Sequence, residues 1–489
     1  MIHPLRTFLW LACVLLAACG RHHDDKPATI AEAAHVGVVE QAPGATPFIA
    51  RITLTLERYQ DLSRVSFTVT PKPGTFSKPV TVSYDKAWLD RRNAWSGAGR
   101  RLSFPVFGLY AGYANDVSIQ ATFKDGSAHS EKLAIRTDPY TGQASVYGTP
   151  TIKTARGAGV SPGYDYIVVK NGIATPVVVD TDGNMRWVGT GLTESVSSLF
   201  VDDAFYVGSN STPTLARVEL NGTVSSRQLA STRFTNFHHD LSPGKNGFLA
   251  EMDVVDNGVR KVESVLAEIA ATGDVLKEWD LGEIFRRTMR AGGDDPSNFV
   301  RDNADWFHMN SAIYDRADNS LLVSSRENFV VKLDYDTGNI RWILGDPAKH
   351  WYADYPSLRA LALRVTSGKV PIGQHSLSIL ENGELLLFNN GTASLSQPPG
   401  TPPGTNRSYS APSRYAIDEK ARTAQEVWTY ENDKTIYSDI CSSVYQPAPG
   451  NYLIAYSVAS GRTKAILKGV DAAGKVAFDI EYPTNVCAT

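Results

Sequence analysis

One pattern recurs six times between residue 150 and the C-terminus, and it constrains the fold more than any other feature of the sequence. Each copy contains an apolar run, a turn that usually contains glycine, and a second run that often ends in tryptophan. Asn-Gly, Asp-Gly and Thr-Gly pairs favour tight β-hairpins, because glycine adopts positive φ at little cost. The six copies are residues 176–189, 216–229, 266–281, 330–345, 415–430 and 468–482.

A second kind of hairpin alternates with the first and also occurs six times. Two hairpins per unit give four strands, and six such units predict a six-bladed β-propeller. No long stretch has a 3.6-residue apolar period, which excludes an α-solenoid. Seven blades remain an alternative if the irregular stretch 345–372 contains another unit. The second hairpins begin at residues 165, 198, 238, 308, 375 and 441.

The residues before the repeats have a different pattern. From about 46 to 145, apolar and polar residues alternate with period two in short runs such as VSFTVTP and DVSIQATF, which turn signals separate. This alternation is typical of a small antiparallel sandwich. The sequence therefore predicts an all-β chain, with an N-terminal β-sandwich at 45–147 and a six-bladed propeller that carries the site at 148–489.

The N-terminal residues predict an export signal that is not part of the folded protein. Residues 1–18 contain Arg6 and an apolar run, and Leu16-Ala17-Ala18-Cys19 is similar to the lipobox of bacterial lipoproteins. Cleavage before Cys19 would leave its thiol lipidated, with 19–44 as a polar tether. A plain signal peptide cleaved elsewhere is the alternative. The expected location is the periplasm, on a lipid anchor in a bacterial membrane. The outer membrane is favoured, because Gly20 and not aspartate follows the cysteine.

The charge limits the classes of partner that the chain could bind, and the cysteine content bears on its compartment. The net charge is −3 with both signs interspersed, so a nucleic-acid partner or a polybasic membrane surface is not expected. Apart from Cys13 in the signal and Cys19, the chain has Cys441 and Cys487, an even pair in an oxidising compartment. The sequence leaves open whether this pair forms a disulfide, since it does not show that the two residues are close. It also leaves a homodimer open.

Three histidines occupy the same position in consecutive units. His239 and His375 each lie seven residues before the asparagine of an Asn-Gly turn, and His308 begins the matching strand between them. The innermost strand of each propeller blade runs beside the central channel, so these side chains should converge near one mouth. Cys441 takes the position in the last unit. His238 should point to the other face and be a packing residue.

Two further polar residues belong to this predicted site. Asn310 shares a strand face with His308, and Arg326 ends the partner strand of the same hairpin. Arginine binds oxyanions with a planar fork, and imidazoles donate to oxyanions, carry protons or attack electrophiles. With no carboxylate expected nearby, this set indicates an anion site. Three imidazoles could instead hold zinc, but Arg326 argues against a metal unless an anion lies between them.

Four segments resemble the bacterial arylsulfate sulfotransferases, and the resemblance extends over about residues 45–485. It implies a periplasmic six-bladed propeller that transfers a sulfuryl group from an aryl sulfate to a phenol, by a ping-pong route and with neither a nucleotide sulfate donor nor another cofactor. No phosphate-binding loop or dinucleotide fingerprint is present. The segments are DWFHMNS (305–311), GQHSLSILENGELLLFNNG (373–391), FHHDLSPGKNG (237–247) and FPVFGLYAGYANDVSI (104–119).

The resemblance also implies a role for each site residue. His375 would attack sulfur and become transiently sulfated. His239, His308, Asn310 and Arg326 would hold the sulfate, and His308 would also exchange protons with the phenol oxygens. The catalytic candidates are thus His375, His308 and Arg326, the binding candidates are His239 and Asn310, and no metal is expected.

Two other classes of function remain open. A metal-dependent propeller hydrolase or lyase would use His239, His308 and His375 as ligands, and metal content would reveal it. A non-catalytic propeller of the cell envelope, on its lipid anchor, would hold an anionic ligand in the polar mouth. A quinone-dependent dehydrogenase is disfavoured, because the carboxylates that bind its Ca²⁺ are missing from the starts of the inner strands.

Overall fold

The computed structural model describes residues 28–484 and 486–488. The predicted signal sequence, Cys19 and residues 20–27 of the predicted tether lie outside these residues. Within them, no helix is long and apolar enough to span a bilayer.

The N-terminal part is a sandwich of two four-stranded antiparallel sheets, with strand orders β1-β2-β6-β5 and β4-β3-β7-β8. Buried and exposed residues alternate along β7, so one face of each strand fills the space between the sheets. The strands are β1 (Gly37–Pro43), β2 (Ile49–Thr55), β3 (Leu62–Val69), β4 (Val80–Asp85), β5 (Trp95–Ser96), β6 (Arg101–Phe107), β7 (Ala114–Phe123) and β8 (Ala128–Arg136). Helices α1 (Ile30–Ala33) and α2 (Lys86–Arg91) flank them.

The sandwich begins earlier than the sequence predicts. Residues 30–43, assigned to the tether, form α1 and β1, and β1 pairs with β2. A capping box between Thr29 and Glu32 starts the helix. Strand β1 lies at a sheet edge and has no fully buried residue, so it lacks the apolar alternation by which the other strands are predicted.

Six further sheets form the blades of a propeller, which confirms the predicted fold class. Blades 2, 3 and 4 have four antiparallel strands each. Blade 1 contains β10 (Tyr166–Val169), β11 (Val177–Asp180) and β12 (Met185–Val188); blade 2 contains β13 (Ser198–Val201), β14 (Ala204–Gly208), β15 (Thr214–Glu219) and β16 (Val224–Gln228); blade 3 contains β17 (Phe234–Pro243), β18 (Phe248–Asp256), β19 (Val259–Ile269) and β20 (Val275–Asp280); blade 4 contains β21 (Met309–Asp315), β22 (Ser320–Ser325), β23 (Phe329–Asp334) and β24 (Ile340–Gly345).

The last two blades and the connecting helices complete the ring. The region 345–372 holds no seventh blade, because its one strand, β25, adds to blade 5. Blade 5 contains β25 (Arg364–Ser367), β26 (His375–Ile379), β27 (Leu385–Asn389), β28 (Ala411–Asp418) and β29 (Thr423–Thr429); blade 6 contains β30 (Ser443–Ala448), β31 (Asn451–Val458), β32 (Lys464–Asp471) and β33 (Val476–Pro483). The helices are α3 (Leu281–Ala291), α4 (His350–Ala353), α5 (Pro356–Arg359) and α6 (Ala459–Arg462), and 3₁₀ turns span Tyr59–Asp61, Gly97–Gly99, Gln143–Gly148 and Asn432–Lys434.

The ring closes through a strand from before the first repeat. Strand β9 (Thr151–Thr154) pairs antiparallel with β33, so blade 6 has five strands and blade 1 only three. The expectation of four strands in every unit is therefore wrong for blades 1, 5 and 6. Because β9 and β33 come from opposite ends of the propeller, their pairing joins the two ends of the ring.

The recurring tryptophan has a structural reason. The indole N–H of Trp187 in blade 1 donates to the carbonyl of Leu220 in blade 2, at 2.9 Å. The same bond joins blade 3 to blade 4, from Trp279 to Tyr335 at 3.0 Å. In blade 5, Trp428 donates to the carbonyl of Ala472 in blade 6, and in blade 4, Trp342 donates to the side-chain carboxylate of Glu419 in blade 5. Each tryptophan thus fills the gap between blades with its ring and satisfies its polar atom on the neighbouring turn.

Candidate active site

The structure brings the predicted site residues together where the inner strands of blades 3, 4 and 5 begin or bend. His239 lies in β17, His308 directly precedes β21, and His375 begins β26. The Nε2 atoms of His239 and His308 are 2.8 Å apart, and the ring centres of His239 and His375 are 6.2 Å apart. Arg326 donates its backbone N–H to the carbonyl of His308, and Asn310 lines the same pocket as His375.

The inner strands are irregular where they pass the site. Their pairing with the next strand changes register, which is the mark of a β-bulge. His308 and Ser376 have φ of 51° and 55°, a left-handed conformation that residues other than glycine adopt at a cost and that is often found at functional sites. The register changes lie at residues 237–241, 309–311 and 375–378.

The bulge in β17 changes the expected role of His238. Its Nε2 lies 2.8 Å from Oε1 of Glu263, and its ring packs edge-on against His239 at 4.3 Å between centres. The prediction that His238 is a packing residue on the other face is therefore wrong. Strict alternation does not hold through a bulge, so both histidines reach the site.

Carboxylates also belong to the site, contrary to the expectation that none lies nearby. Nδ1 of His308 is 2.7 Å from Oδ2 of Asp305 and 2.7 Å from Oε2 of Glu263. Glu327 is fully buried behind Arg326. Asp305 and Glu327 are sequence neighbours of the predicted residues, which could have signalled them. Glu263 comes from β19 in another blade, and no local sequence feature indicates it.

The carboxylates determine the charge of His308. Burial opposes a charged imidazole, but hydrogen bonds to Asp305 and Glu263 and the charge of Glu263 outweigh it and raise the pKa of His308 to about 9. His308 is therefore an imidazolium at neutral pH, and its Nε2–H points at Nε2 of His239. Burial, and then the neighbouring charges of His238 and His308, hold the pKa of His239 well below its ordinary value, so His239 is the neutral acceptor.

His375 is held neutral and in one tautomer. Burial, opposed by a hydrogen bond to Asn390 and assisted by the charges of Arg326 and His308, lowers its pKa to about 3. Its Nδ1–H donates to Oδ1 of Asn390 at 2.8 Å. The lone pair is thus on Nε2, where it accepts a single bond from the backbone N–H of Cys441 at 3.2 Å. A neutral imidazole with a defined lone pair is a nucleophile at any ordinary pH.

Arg326 is fixed by a buried partner. Both Nε and Nη2 lie within 3.1 Å of Oε1 of Glu327, whose other oxygen accepts backbone N–H groups of Leu395 and Ser396. Glu327 orients the guanidinium beside the histidines, and its negative charge offsets the positive charge of Arg326. Asn310 donates to the carbonyl of Gln374 at 2.8 Å, and its own Oδ1 is buried with no hydrogen-bond partner among the residues that the structure describes.

A mostly apolar cavity of about 550 Å³ adjoins the histidine pocket along the central channel. The two spaces share Lys170, Asp240, Ser376 and Tyr445, and Lys170 and Asp240 form an ion pair at 2.7 Å at this boundary. The volume suits a small aromatic molecule. Aromatic side chains in its wall are Tyr164, Tyr166, Phe200, Tyr314 and Tyr445.

Two groups in the described residues have the donors and spacing to hold a metal ion, and both include Glu263. One combines it with His238 and His239, the other with Asp305 and His308. The predicted alternative, a metal held by His239, His308 and His375, is not formed, because His375 belongs to neither group. Contacts of 2.7–2.8 Å within the groups are ordinary hydrogen-bond distances.

A disulfide joins Cys441 to Cys487, with the two Cα atoms 6.1 Å apart. The carbonyl of Cys487 accepts the N–H of Gly172 in the turn after β10. The bond therefore ties the C-terminal segment to the loop that donates to His375, next to the closure of the ring.

Comparison with known families decides the class of protein. Residues 159–489 match the model of the arylsulfotransferase (ASST) family, and residues 52–138 match the arylsulfotransferase Ig-like domain. The chain belongs to the arylsulfotransferase family. This confirms the resemblance that the motifs indicate, and with it the expectation that the protein is a sulfotransferase enzyme.

Two curated relatives carry the same printed description, arylsulfate sulfotransferase AssT. The protein from Escherichia coli O6:H1 is 31% identical over 199 residues, 37% of this chain and 31% of that protein. The protein from Lelliottia amnigena is 24% identical over 601 residues, 99% of this chain and 95% of that protein. The first match thus spans less than a third of that relative's length, and the second spans nearly all of it.

Among solved structures, the β-propeller domain of Myceliophteria thermophila Cps50 (Swd1) is similar. The TM-score is 0.37 at 10% identity, with 69% of this chain and 88% of that chain covered. At that score the likeness carries no argument, and the six-bladed arylsulfotransferase fold rests on the sheets described above.

Proposed function

We propose that the protein transfers a sulfuryl group from an aryl sulfate to a phenol in two steps, through a sulfated His375, without a nucleotide sulfate donor. The observation that carries the proposal is the division of charge in one pocket. His375 is a neutral imidazole with its lone pair on Nε2, while His308 and Arg326 are cations beside it. An anionic donor accepts hydrogen bonds from these two fixed cations, whose charge is offset by the carboxylates behind them, and the nucleophile is not lost to protonation.

In the first step, Nε2 of His375 attacks sulfur and the bond from sulfur to the aryl oxygen breaks. Nε2–H of His308, which Nε2 of His239 accepts in the resting site, turns to the aryl oxygen as the donor binds. The departing phenolate takes this proton, and His308 becomes neutral. The covalent N–S bond leaves His375 with a sulfuryl group and its Nδ1–H still on Asn390, at 2.8 Å. Negative charge grows on the leaving oxygen and on the equatorial oxygens, where fixed cationic donors stabilise the transition state more than the ground state.

In the second step, a phenol occupies the position that the first aryl group left. Its hydroxyl gives a proton to neutral His308 while its oxygen attacks sulfur, and the N–S bond breaks. His375 and His308 return to their starting states. Division of one transfer into two steps predicts ping-pong kinetics.

The test uses 4-nitrophenyl sulfate with and without phenol. The proposal predicts that steady nitrophenolate release requires phenol and that phenyl sulfate appears in equal amount. His375→Asn should abolish release while the melting temperature stays close to wild type, with His129→Asn in the sandwich as the control. Full activity in His375→Asn would refute the nucleophile. Release that needs no phenol and stops on chelation would indicate a metal-dependent hydrolase instead.

We propose the same setting that the N-terminus predicts: export, lipidation of Cys19 and attachment to a bacterial membrane, with the outer membrane favoured. The Cys441–Cys487 disulfide supports an oxidising compartment. Cys19→Ser should release the protein into the soluble periplasmic fraction. An unchanged membrane fraction for Cys19→Ser would contradict the lipid anchor.

A further inference from the structure

Glu263 occupies an unusual position for a charged side chain. It lies within β19 with φ of 45°, is only 7% exposed, and reaches the histidine pocket from a blade position where the pairing of β18 and β19 changes register. Its backbone N–H donates to Oδ1 of Asp253 at 2.8 Å, and Asp253 is itself paired with Arg260 at 2.7 Å. The surrounding structure thus holds a left-handed non-glycine residue in place, as strained residues at functional sites require.

The carboxylate of Glu263 connects two imidazoles. Oε1 lies 2.8 Å from Nε2 of His238, and Oε2 lies 2.7 Å from Nδ1 of His308. The Nδ1–H is aligned on Oδ2 of Asp305, so Oε2 of Glu263, which has no hydrogen-bond partner among the described residues, acts on His308 through its charge. Burial opposes the charge of Glu263, but the neighbouring imidazoles of His238 and His308 hold its pKa well below its usual range, so it is a carboxylate at neutral pH. Asp305 lies at the same distance from Nδ1 of His308. It is more exposed and also lies 3.7 Å from Arg326.

We propose that Glu263, with Asp305, is a positioning residue that keeps a proton on Nδ1 of His308, so that Nε2 of His308 delivers the second proton to the leaving phenolate. The inference rests on the proposed function. A hydrogen bond from Nδ1 to a carboxylate fixes which way the ring faces and which nitrogen exchanges protons with the substrate. The other titratable groups that face His308 are His238 and His239 from β17, Arg326 after β22, and His375 from β26.

The proton count favours this role over direct contact with substrate. Glu263 takes part in no bond that forms or breaks, and its proton count stays zero through both steps. When His308 becomes neutral it gives up only the Nε2 proton, because the Nδ1 proton stays between Glu263 and Asp305. The second step then returns a proton to Nε2. Without a carboxylate on Nδ1, a neutral His308 could hold its proton on Nε2 and would be unable to accept one from the phenol.

The test compares donors that differ in the basicity of the leaving phenolate. Single-turnover sulfation of the enzyme, without acceptor, is measured with phenyl sulfate and with 4-nitrophenyl sulfate. Phenolate needs a proton to depart and nitrophenolate needs one much less. Glu263→Gln keeps the size of the side chain and removes its charge. Because Asp305 remains on Nδ1, this single variant should slow sulfation by phenyl sulfate more than sulfation by 4-nitrophenyl sulfate. The double variant Glu263→Gln, Asp305→Asn, which leaves Nδ1 without a carboxylate, should slow sulfation by phenyl sulfate about 10²-fold or more, in the range of a lost general acid.

The pH profile gives a second readout that a purely structural role would not move. In Glu263→Gln, the pH above which sulfation by phenyl sulfate declines should lie lower than in the wild type, where it is about 9. Asp305→Asn should shift both the donor dependence and the pH profile in the same direction as Glu263→Gln. Because Asp305 is more exposed, this variant replaces Glu263→Gln in the test if Glu263→Gln does not fold. Glu268→Gln is the matched control: it is buried in the same strand but bound to Tyr335 and to the turn at Asn246.

Equal losses with both donors and an unmoved pH profile, in Glu263→Gln and Asp305→Asn alike, would overturn the inference. The same outcome in Glu268→Gln as in Glu263→Gln would also overturn it, since the effect would then come from disturbing β19. Sulfation that survives in His375→Asn would instead refute the proposed function, whatever the carboxylate variants do.

Discussion

The two half-reactions are expected to respond to pH in opposite directions. His308 must carry its Nε2 proton when the donor's phenolate leaves, and must lack it when the acceptor phenol attacks. Its pKa of about 9, against an ordinary value of 6.5, corresponds to about 3 kcal/mol in favour of the imidazolium. His308 is nearly fully buried, so solvent screens little of this.

The expected profiles follow from that pKa. Sulfation by phenyl sulfate should be nearly constant from about pH 5.5 to 8 and should fall about tenfold per pH unit above 9. Transfer from the sulfated enzyme to phenol should rise about 50-fold between pH 7 and 9. No decline near pH 6.5 should appear on the acid side of sulfation, because the pKa of His375 is about 3 and the nucleophile stays neutral.

The two steps are separated by rapid mixing. Sulfation is followed as phenol release in a single turnover without acceptor, and transfer is followed by mixing sulfated enzyme with phenol after a pH jump. His308→Gln should remove the alkaline decline of sulfation. Identical pH dependence of the two half-reactions, or sulfation that titrates near pH 6.5, would refute the assignment of charge to His308 and His375.

Two other perturbations follow from the geometry. Arg326→Ala should lower kcat/KM about 10²-fold or more, because a fixed cationic donor to the developing oxyanion is lost. The kcat/KM of Arg326→Lys should lie between those of the wild type and Arg326→Ala. A wild-type kcat/KM in Arg326→Ala would contradict the role of Arg326. Cys487→Ser should lower the free energy of unfolding in urea by about 4 kcal/mol, from the entropy of a loop that spans 46 residues. Equal stability of oxidised and reduced wild type would contradict that estimate.

The repeated hairpins made the propeller and the phase of its histidines predictable. His239 and His375 lie at the same spacing before an Asn-Gly turn, and His308 begins the matching strand between them, so their common position is a local property of the sequence. The tryptophan repeat is local in the same sense. The closure of the ring could not be predicted locally, because β9 and β33 are more than 300 residues apart in sequence and neither strand contains a feature that indicates the other.

The carboxylates and His238 were missed for two physical reasons. Alternation in a strand fails at a bulge, so His238 reaches the site although it is adjacent to His239. Glu263 lies in the third strand of blade 3 and itself has left-handed backbone angles. Its side chain comes near His308 only when blades 3 and 4 pack. Asp305 lies three residues before His308, in the loop ahead of β21. In an extended strand, residues three apart point to opposite faces, so the alternation did not predict that Asp305 contacts the imidazole.

The central claim is that sulfur passes through His375. Enzyme incubated with 4-nitrophenyl sulfate alone, then quenched in base to preserve the acid-labile N–S bond, is analysed by intact mass and peptide fragmentation. The account predicts one sulfuryl adduct per chain, on His375, which disappears when phenol is added before the quench. Phenol-dependent turnover without any adduct on the enzyme would mean direct transfer between donor and acceptor. An adduct on another residue would contradict the assignment of His375.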